Sequence, residues 1–249
     1  MPYLSMDRGQ RTDDHLMTHR FGILSAAALA VFATPALADD PVVVELFTSQ
    51  GCSLCPPADA LLGELAERED VIALALHVDY WDYIGWADTF AHTAFTQRQH
   101  AYGEAAGSTV VYTPQMVIGG VDHVIGNRTM EVADAIAAHR SIANPVSVET
   151  TPEQGGWQVR AVWIGEGQAP QMIVQVVTYS PQEHVDITRG ENAGLSTAYH
   201  NVVRSWQVVA DWSGAQAFEA QVLPTGDMPH VVIVQTDGHG AILGAARLD

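Results

Sequence analysis

The sequence predicts an α/β domain followed by an all-β domain of sandwich type. Strand-length and helix-length apolar segments alternate up to about residue 143, which is typical of β-α-β units with parallel strands. After Asn144-Pro145 the chain holds only short apolar runs separated by Gly, Pro, Asp and Ser, a pattern that favours a β-sandwich. We therefore divide the chain into a signal peptide (1–38), a first domain (39–144) and a second domain (145–249).

The N-terminal segment is interpreted as an export signal. Arg20 precedes an apolar run from Phe21 to Ala33, and the small-residue triplet Ala36-Leu37-Ala38 follows. These are the features of a secretory signal, so the mature chain would begin at Asp39. The apolar run is shorter than the roughly 20 residues that a membrane span needs. We expect a periplasmic or secreted protein with no stable membrane span after cleavage.

Composition excludes one class of partner. The 249 residues include 29 Asp and Glu but only 11 basic residues, all of them Arg, which gives a formal net charge of -18. Binding to the phosphates of nucleic acid requires a cationic surface, so we expect no nucleic-acid partner. The acidity is interpreted as a solvated surface, with attraction of a cationic partner as the alternative.

The first strand and the first helix flank a pair of cysteines. Pro41 to Thr48 is a short β-branched run typical of a buried strand, and Ala58 to Arg68 has leucines at helical spacing. Pro56 and Pro57 lead into this helix, since proline is tolerated in a first helical turn. Val71 to Val78 is a second strand-length run, which completes a parallel β-α-β unit.

A helix, a hairpin and a closing helix are predicted for the rest of this domain. Apolar residues recur on one helical face from about Trp86 to Tyr102. Val110 to Ile118 and Val121 to Ile125 are predicted as two hairpin strands joined at Gly119-Gly120. Thr129 to Ala143 is rich in Ala and lacks helix breakers, so it is predicted as the closing helix.

Four runs in the second domain are predicted as strands of the sandwich. They are Trp157 to Ile164, Met172 to Tyr179, Val202 to Val209 and Val231 to Gln235. In the first run the apolar residues alternate onto one face, as in a strand with one buried side.

The chemistry of this sequence centres on its two cysteines, Cys52 and Cys55, at a strand-to-helix junction. In an oxidising compartment they can form a disulfide, and no third thiol competes. The helix dipole and free N–H groups at the helix start would lower the pKa of Cys52 from about 8.5. Cys52 would then attack a partner disulfide and Cys55 would resolve the mixed disulfide. The alternatives are a static structural disulfide and a metal site.

Other positions allow both a functional and a structural interpretation. His77 is a candidate third metal ligand beside two thiolates that suit Cu(I), or a packed, hydrogen-bonded histidine. Tyr80 and Trp81 would line a substrate groove or fill the interface of the next helix. The loop Arg189 to Asn192 would form a β-turn braced by an ion pair, or a partner-contact loop beside the dithiol. Thr113-Pro114 alone indicates a proline in a turn or at a sheet edge.

Five segments resemble a known family. They are Glu45 to Asp59 (ELFTSQGCSLCPPAD), His77 to Asp82 (HVDYWD), Val111 to Ile118 (VYTPQMVI), Arg189 to Gly194 (RGENAG) and Tyr199 to Arg204 (YHNVVR). Together they resemble a bacterial family of secreted thioredoxin-like proteins that is catalogued as a domain of unknown function. The resemblance implies a thioredoxin-like fold over about Pro41 to Ala143, with a cis peptide bond before Pro114 that faces the dithiol.

The resemblance also implies roles for individual residues. Cys52, Cys55 and Pro114 would form the catalytic site, and Thr113 would join Tyr80 and Trp81 in a substrate groove. Glu45 would be a proton shuttle, although it stands one position further from the first cysteine than in thioredoxins. The sequence between the cysteines also differs from that of thioredoxins.

The sequence therefore predicts an exported thiol-disulfide oxidoreductase that acts through the Cys52/Cys55 dithiol. Its partners would be protein thiols or disulfides, and it would need no cofactor beyond its redox-active disulfide. The alternative is a binding module on the same fold. It would be either a copper-handling protein that uses Cys52, Cys55 and His77 or a non-catalytic factor that presents its β-domain to a partner.

Overall fold

A computed structural model of the protein describes residues 40–223 and 226–248. The predicted signal peptide (1–38) and mature start at Asp39 lie outside the described residues. The elements in chain order are β1 (Val42–Thr48), α1 (Pro56–Ala66), β2 (Val71–His77), a 3₁₀ turn (Asp82–Ile84), α2 (Thr93–Ala105), β3 (Gln115–Ile118), β4 (Asp122–Ile125), α3 (Thr129–Arg140), β5 (Val146–Glu153), β6 (Gly156–Trp163), β7 (Met172–Asp186), β8 (Ser196–Trp212), β9 (Phe218–Val222), β10 (His230–Thr236) and β11 (Ile242–Leu248).

Eight strands form one mixed sheet in the order β11-β10-β7-β8-β2-β1-β3-β4. β2 runs parallel to both of its neighbours, β1 and β8, and the other pairs in this sheet are antiparallel. β5, β6 and β9 form a second, three-stranded antiparallel sheet.

The predicted fold class was wrong. The described chain is mostly β, with a large mixed sheet and three α-helices, rather than an α/β thioredoxin-like domain followed by a separate sandwich. The reason is the edge of β2, where Ala75 pairs with Val202 of β8. Since β2 is buried along its whole length, an uncovered edge would leave backbone N–H and C=O groups unpaired. The division of the chain at residue 144 stays a prediction.

Most individual elements lie where the sequence predicts them. The hairpin, the helix that starts at Thr129 and the four strands predicted after residue 145 are present, but their bounds differ: β3 begins only at Gln115, α3 ends at Arg140, and β7 and β8 extend well beyond their predicted runs. The sequence did not predict β5, β9 and β11. The helix predicted from Trp86 begins only at Thr93. His92 caps it, because Nδ1 of this residue accepts the Ala94 N–H at 3.0 Å.

Side chains on the two faces of the large sheet enter different cores. Val44 and Leu46 of β1 pack with α1 and α3 on one face, and Val43 and Phe47 pack with α2 on the other. β7 and β10 bury a third cluster against the second sheet. None of the helices in the described part of the chain is long and apolar enough to cross a membrane.

Candidate functional site at the Cys52–Cys55 disulfide

Cys52 and Cys55 form a disulfide between the end of β1 and the start of α1, with their Cα atoms 5.4 Å apart. Cys52 keeps 2% of its surface exposed, whereas Cys55 is fully buried at 0%. Leu54, between them, is 65% exposed. Cys52 is thus the slightly more exposed of the two cysteines.

The start of α1 differs from the prediction in one respect. Pro56 and Pro57 occupy the first positions of the helix and have no N–H group. The next two N–H groups, of Ala58 and Asp59, both donate to the carbonyl of Cys55, at 2.8 and 3.0 Å. The first turn thus presents no free N–H group to a thiolate, and only the helix dipole can favour a negative charge there.

Trp81 lies next to the loop that precedes Cys52 and is bonded to Thr113. The indole N–H of Trp81 donates to Oγ1 of Thr113 at 2.8 Å, and a Cβ added at Gly51 would lie 3.3 Å from the Cβ of Trp81. Trp81 therefore connects the loop before Cys52 to the Thr113-Pro114 segment. The predicted cis bond between Thr113 and Pro114 is confirmed.

Pro114 is buried against the first turn of α1. A Cβ added at Gly126 would lie 3.1 Å from the Cβ atoms of both Pro114 and Ala58, so the three residues are in close contact. The hydroxyl of Tyr80, by contrast, donates to Oε1 of Gln99 in α2 at 3.1 Å, and burial raises the pKa of Tyr80 to about 12. Of the predicted groove residues, Trp81 and Thr113 are thus joined directly, and Tyr80 is bonded to α2.

Asn192 fixes the cysteine turn. Its buried side-chain amide donates to the carbonyls of Gln50 and Cys52, at 2.9 and 3.0 Å. The loop Arg189 to Asn192 therefore lies beside the dithiol, as its functional interpretation expects, while Arg189 and Glu191 are exposed.

We expect Asn192→Ala to lower the free energy of unfolding by about 1–3 kcal/mol, because two buried carbonyls lose their donor. Dithiothreitol should also reduce the Cys52–Cys55 disulfide faster, since the turn is no longer held. Asn201→Gly is the matched control. It removes a similar bond, to the carbonyl of Ala73 in β2, at a residue whose φ of 48° glycine accepts. An unchanged reduction rate in Asn192→Ala, or an equal increase in the control, would contradict this role.

A buried polar cluster lies behind the disulfide. Asp59, four residues after Cys55 and on the same helical face, accepts a hydrogen bond from the hydroxyl of Thr48 at 2.7 Å. His77 contacts the carboxylate of Asp88 through Nδ1 at 2.7 Å. Within the described chain, two buried side-chain atoms have no hydrogen-bond partner, Oδ2 of Asp59 and Nε2 of His77.

The chemistry of these two atoms is complementary. An ionised Asp88 only accepts, so Nδ1 of His77 donates to it and Nε2 of a neutral His77 remains an acceptor. Burial raises the pKa of Asp59 to about 7, an effect that its attraction to His77 partly offsets. The cluster therefore holds an acid that can gain or lose a proton near neutral pH, directly behind the cysteines.

The raised pKa of Asp59 makes stability depend on pH. Between pH about 4 and about 7 the folded protein keeps a proton that the unfolded chain has already released, so the stability contributed by this group falls as pH rises through that window. Asp59→Asn cannot release a proton. We expect its free energy of unfolding, measured in urea, to rise relative to that of the wild type from pH 4 to pH 8. Asp134→Asn, at an exposed acid of α3, should follow the wild type. If the free energy of unfolding of Asp59→Asn instead changed with pH in parallel with that of the wild type, the raised pKa of Asp59 would be contradicted.

The metal alternative receives no support from the geometry. Within residues 40–223 and 226–248, no three side chains of His, Cys, Asp or Glu are arranged so that they could hold a metal ion. Cys52 and Cys55 are joined in a disulfide here and Nδ1 of His77 contacts Asp88, so the copper site of Cys52, Cys55 and His77 stays a prediction.

Glu45 lies on the face of β1 opposite to Thr48. Its carboxylate forms a two-pronged ion pair with Arg98 of α2, at 2.6 and 2.9 Å, and accepts the hydroxyl of Tyr102 at 2.5 Å. All three side chains are buried. The structure thus places the predicted proton shuttle in a network on the α2 side of the sheet, whereas Asp59 lies on the α1 side.

Sequence reasoning missed Asp59, Asp88 and Asn192 as members of the site. The signal for Asp59 is its position, since an acid four residues after Cys55 on a helix lies on the same face. Asp88 was absorbed into a predicted helix that begins only after it. Asn192 belongs to a loop that the sequence singled out, but no local pattern shows that its amide reaches Cys52.

Comparisons with known proteins support the fold and say nothing about chemistry. A family model described as "Protein of unknown function (DUF1223)" matches residues 43–235. A crystal structure of a protein from Agrobacterium tumefaciens has 32% sequence identity and a TM-score of 0.71, over 83% of this chain and 93% of that chain. HBP35 of Porphyromonas gingivalis has a TM-score of 0.58 at 12% identity, over 84% of this chain and 74% of that chain, and shows similarity of fold alone. No curated protein matches the chain.

Proposed function

This chain belongs to the DUF1223 family of proteins of unknown function, and we propose that it is an exported thiol-disulfide oxidoreductase. The observation that carries the proposal is the pairing of an unequally exposed disulfide with a buried acid that titrates near pH 7. A disulfide that serves only as a brace requires no such acid beside it. An exchange reaction can use one, because a thiol gains or loses a proton in each direction.

Cys52 is the sulfur that exchanges with the partner. A partner thiolate attacks Sγ of Cys52, the bond to Cys55 breaks, and Cys55 leaves as a thiolate that takes the proton of Asp59. A second partner thiolate then attacks the partner sulfur of the mixed disulfide, so that a partner disulfide forms and Cys52 is released as a thiolate. Two electrons pass from the partner to the Cys52/Cys55 pair, and every step is reversible.

The surroundings of Cys52 favour a polypeptide as the partner. Leu54, exposed between the two cysteines, and Trp81, whose Cβ lies close to Gly51, offer apolar surface near Cys52. Pro114 lies close to the first turn of α1, next to Thr113. The finer resemblance to thioredoxin-like proteins, through the C-x-x-C spacing and the Thr-Pro pair, is consistent with protein thiols and disulfides as substrates.

The test is catalysed reduction of a model protein disulfide by glutathione. The wild type should accelerate the reaction, and Cys52→Ser should leave it at the uncatalysed rate. Asp59→Asn should retain exchange but lose the change of rate near pH 7. Unchanged turnover in Cys52→Ser would reject the proposal as a whole, whereas an unchanged pH profile in Asp59→Asn would reject only the role of Asp59.

A further inference from the structure

A cleft of about 560 Å³ lies between α2 and strands β7 and β8. It contains none of the residues assigned to the dithiol site. Its lining includes the apolar side chains of Phe95, Trp206 and Val208 and the polar side chains of Arg98, Arg204 and His239.

The charge of this cleft is opposite to that of the whole chain. The lining holds two arginines and two histidines and no Asp or Glu, in a chain whose formal net charge is -18. The two arginines have acidic partners behind the lining, Glu45 for Arg98 and Glu183 for Arg204. The lining itself contributes two guanidinium groups, two imidazoles, three side-chain amides and one hydroxyl, and no carboxylate. It is therefore suited to an anion more than to a cation.

Arg98 is the side chain of the cleft that we expect to bind an anion. It is only 7% exposed, and its guanidinium lies 3.7 Å from the ring centre of Trp206. Nε and Nη2 of Arg98 are bonded to Glu45, Tyr102 and Gln235. Nη1 has one long contact, 3.5 Å to Oε1 of Gln175, so its donor capacity is largely unused.

His239 completes the polar end of the cleft. It lies in the turn between β10 and β11 with a φ of 60°. Its ring packs edge-on against Tyr102, with the ring centres 5.5 Å apart. Burial, followed by the nearby Arg98, lowers the pKa of His239, so the neutral ring offers one donor and one acceptor.

We propose that this cleft binds a small organic carboxylate with an apolar or aromatic body. The carboxylate accepts from Nη1 of Arg98 and from His239, and the apolar body lies against Trp206 and Phe95. The volume suits a molecule of metabolite size. This site is independent of the disulfide, so it survives a failure of the redox proposal.

The test compares the binding of 4-phenylbutyrate and uncharged 4-phenylbutanol to the full chain by isothermal titration calorimetry. The acid should bind saturably at one site, and the alcohol should bind at least about tenfold more weakly because it cannot use the charged donor. The same measurement then uses two exposed valines of β8. Val208 lines the cleft and is 58% exposed, whereas Val209 lies outside it and is 46% exposed.

Val208→Glu places a negative charge in the cleft and should weaken binding of the acid at least about tenfold. Val209→Glu adds the same charge on the neighbouring residue and should leave the affinity unchanged. Equal affinity for acid and alcohol, equal effects of the two glutamates, or no saturable binding of the acid would each overturn the proposal.

Discussion

A Cys55→Ser variant accumulates a mixed disulfide through Cys52 when it meets a partner disulfide, and a Cys52→Ser variant forms almost none. The reason is the unequal burial of the two residues, since Cys55 is fully buried and Cys52 keeps 2% of its surface exposed. Without Cys55 the mixed disulfide has no internal thiol to resolve it. Mass spectrometry of the reduced variants after reaction with a glutathionylated peptide measures the adduct directly.

The comparison has an internal control, because each variant keeps a single thiol. Equal adduct on both cysteines would mean that the native burial of Cys55 does not govern reactivity. Adduct formation mainly in Cys52→Ser would reverse the roles proposed here. Circular dichroism of both variants shows whether either change unfolds the turn between β1 and α1.

Glu45→Gln is expected to cost about 3–5 kcal/mol of unfolding free energy, because it leaves the buried guanidinium of Arg98 without its counter-charge. The two side chains meet through two short hydrogen bonds and link β1 to α2. Gln keeps the size of Glu, so the effect reports charge rather than packing. Urea unfolding monitored by fluorescence gives the free energy.

Two further variants separate a buried pair from an exposed one. The double variant Glu45→Gln with Arg98→Met removes both charges and should recover much of the loss. Glu131→Gln breaks the exposed ion pair between Glu131 of α3 and Arg128, the residue just before this helix. It should lower the free energy of unfolding by no more than about 1 kcal/mol. If Glu45→Gln lowered the free energy of unfolding as little as Glu131→Gln does, the buried ion pair of Glu45 and Arg98 would not hold α2 on the sheet.

Local sequence patterns predicted the positions of individual strands better than they predicted which strands pair in the sheet. The run from Pro41 to Thr48 and the run from Val71 to Val78 became β1 and β2 almost without change, because continuous apolar runs of that length suit buried strands. The pairing of β8 with β2 was missed. It joins residues more than a hundred positions apart, and nothing in either run specifies its neighbour in space.

The candidate site shows the same difference between local features, which the sequence predicts, and long-range contacts, which it does not. Cys52 and Cys55 were visible from their spacing, and the Trp81 and Thr113 side chains predicted for the groove do meet. The importance of Asp59 depends on burial and on His77 in the neighbouring strand β2, which no local pattern contains. Glu45 was selected by its place on the strand before the cysteines, yet the alternation of side chains along β1 puts it on the face opposite to Thr48 and Asp59.

The reduction potential of the Cys52/Cys55 pair tests the central claim most directly. It is obtained by thiol trapping across a series of glutathione redox buffers. Exchange catalysis predicts a value between about -270 and -120 mV, within the range of proteins that pass disulfides to or from partners. A value well below about -300 mV would mark a structural disulfide and contradict the account.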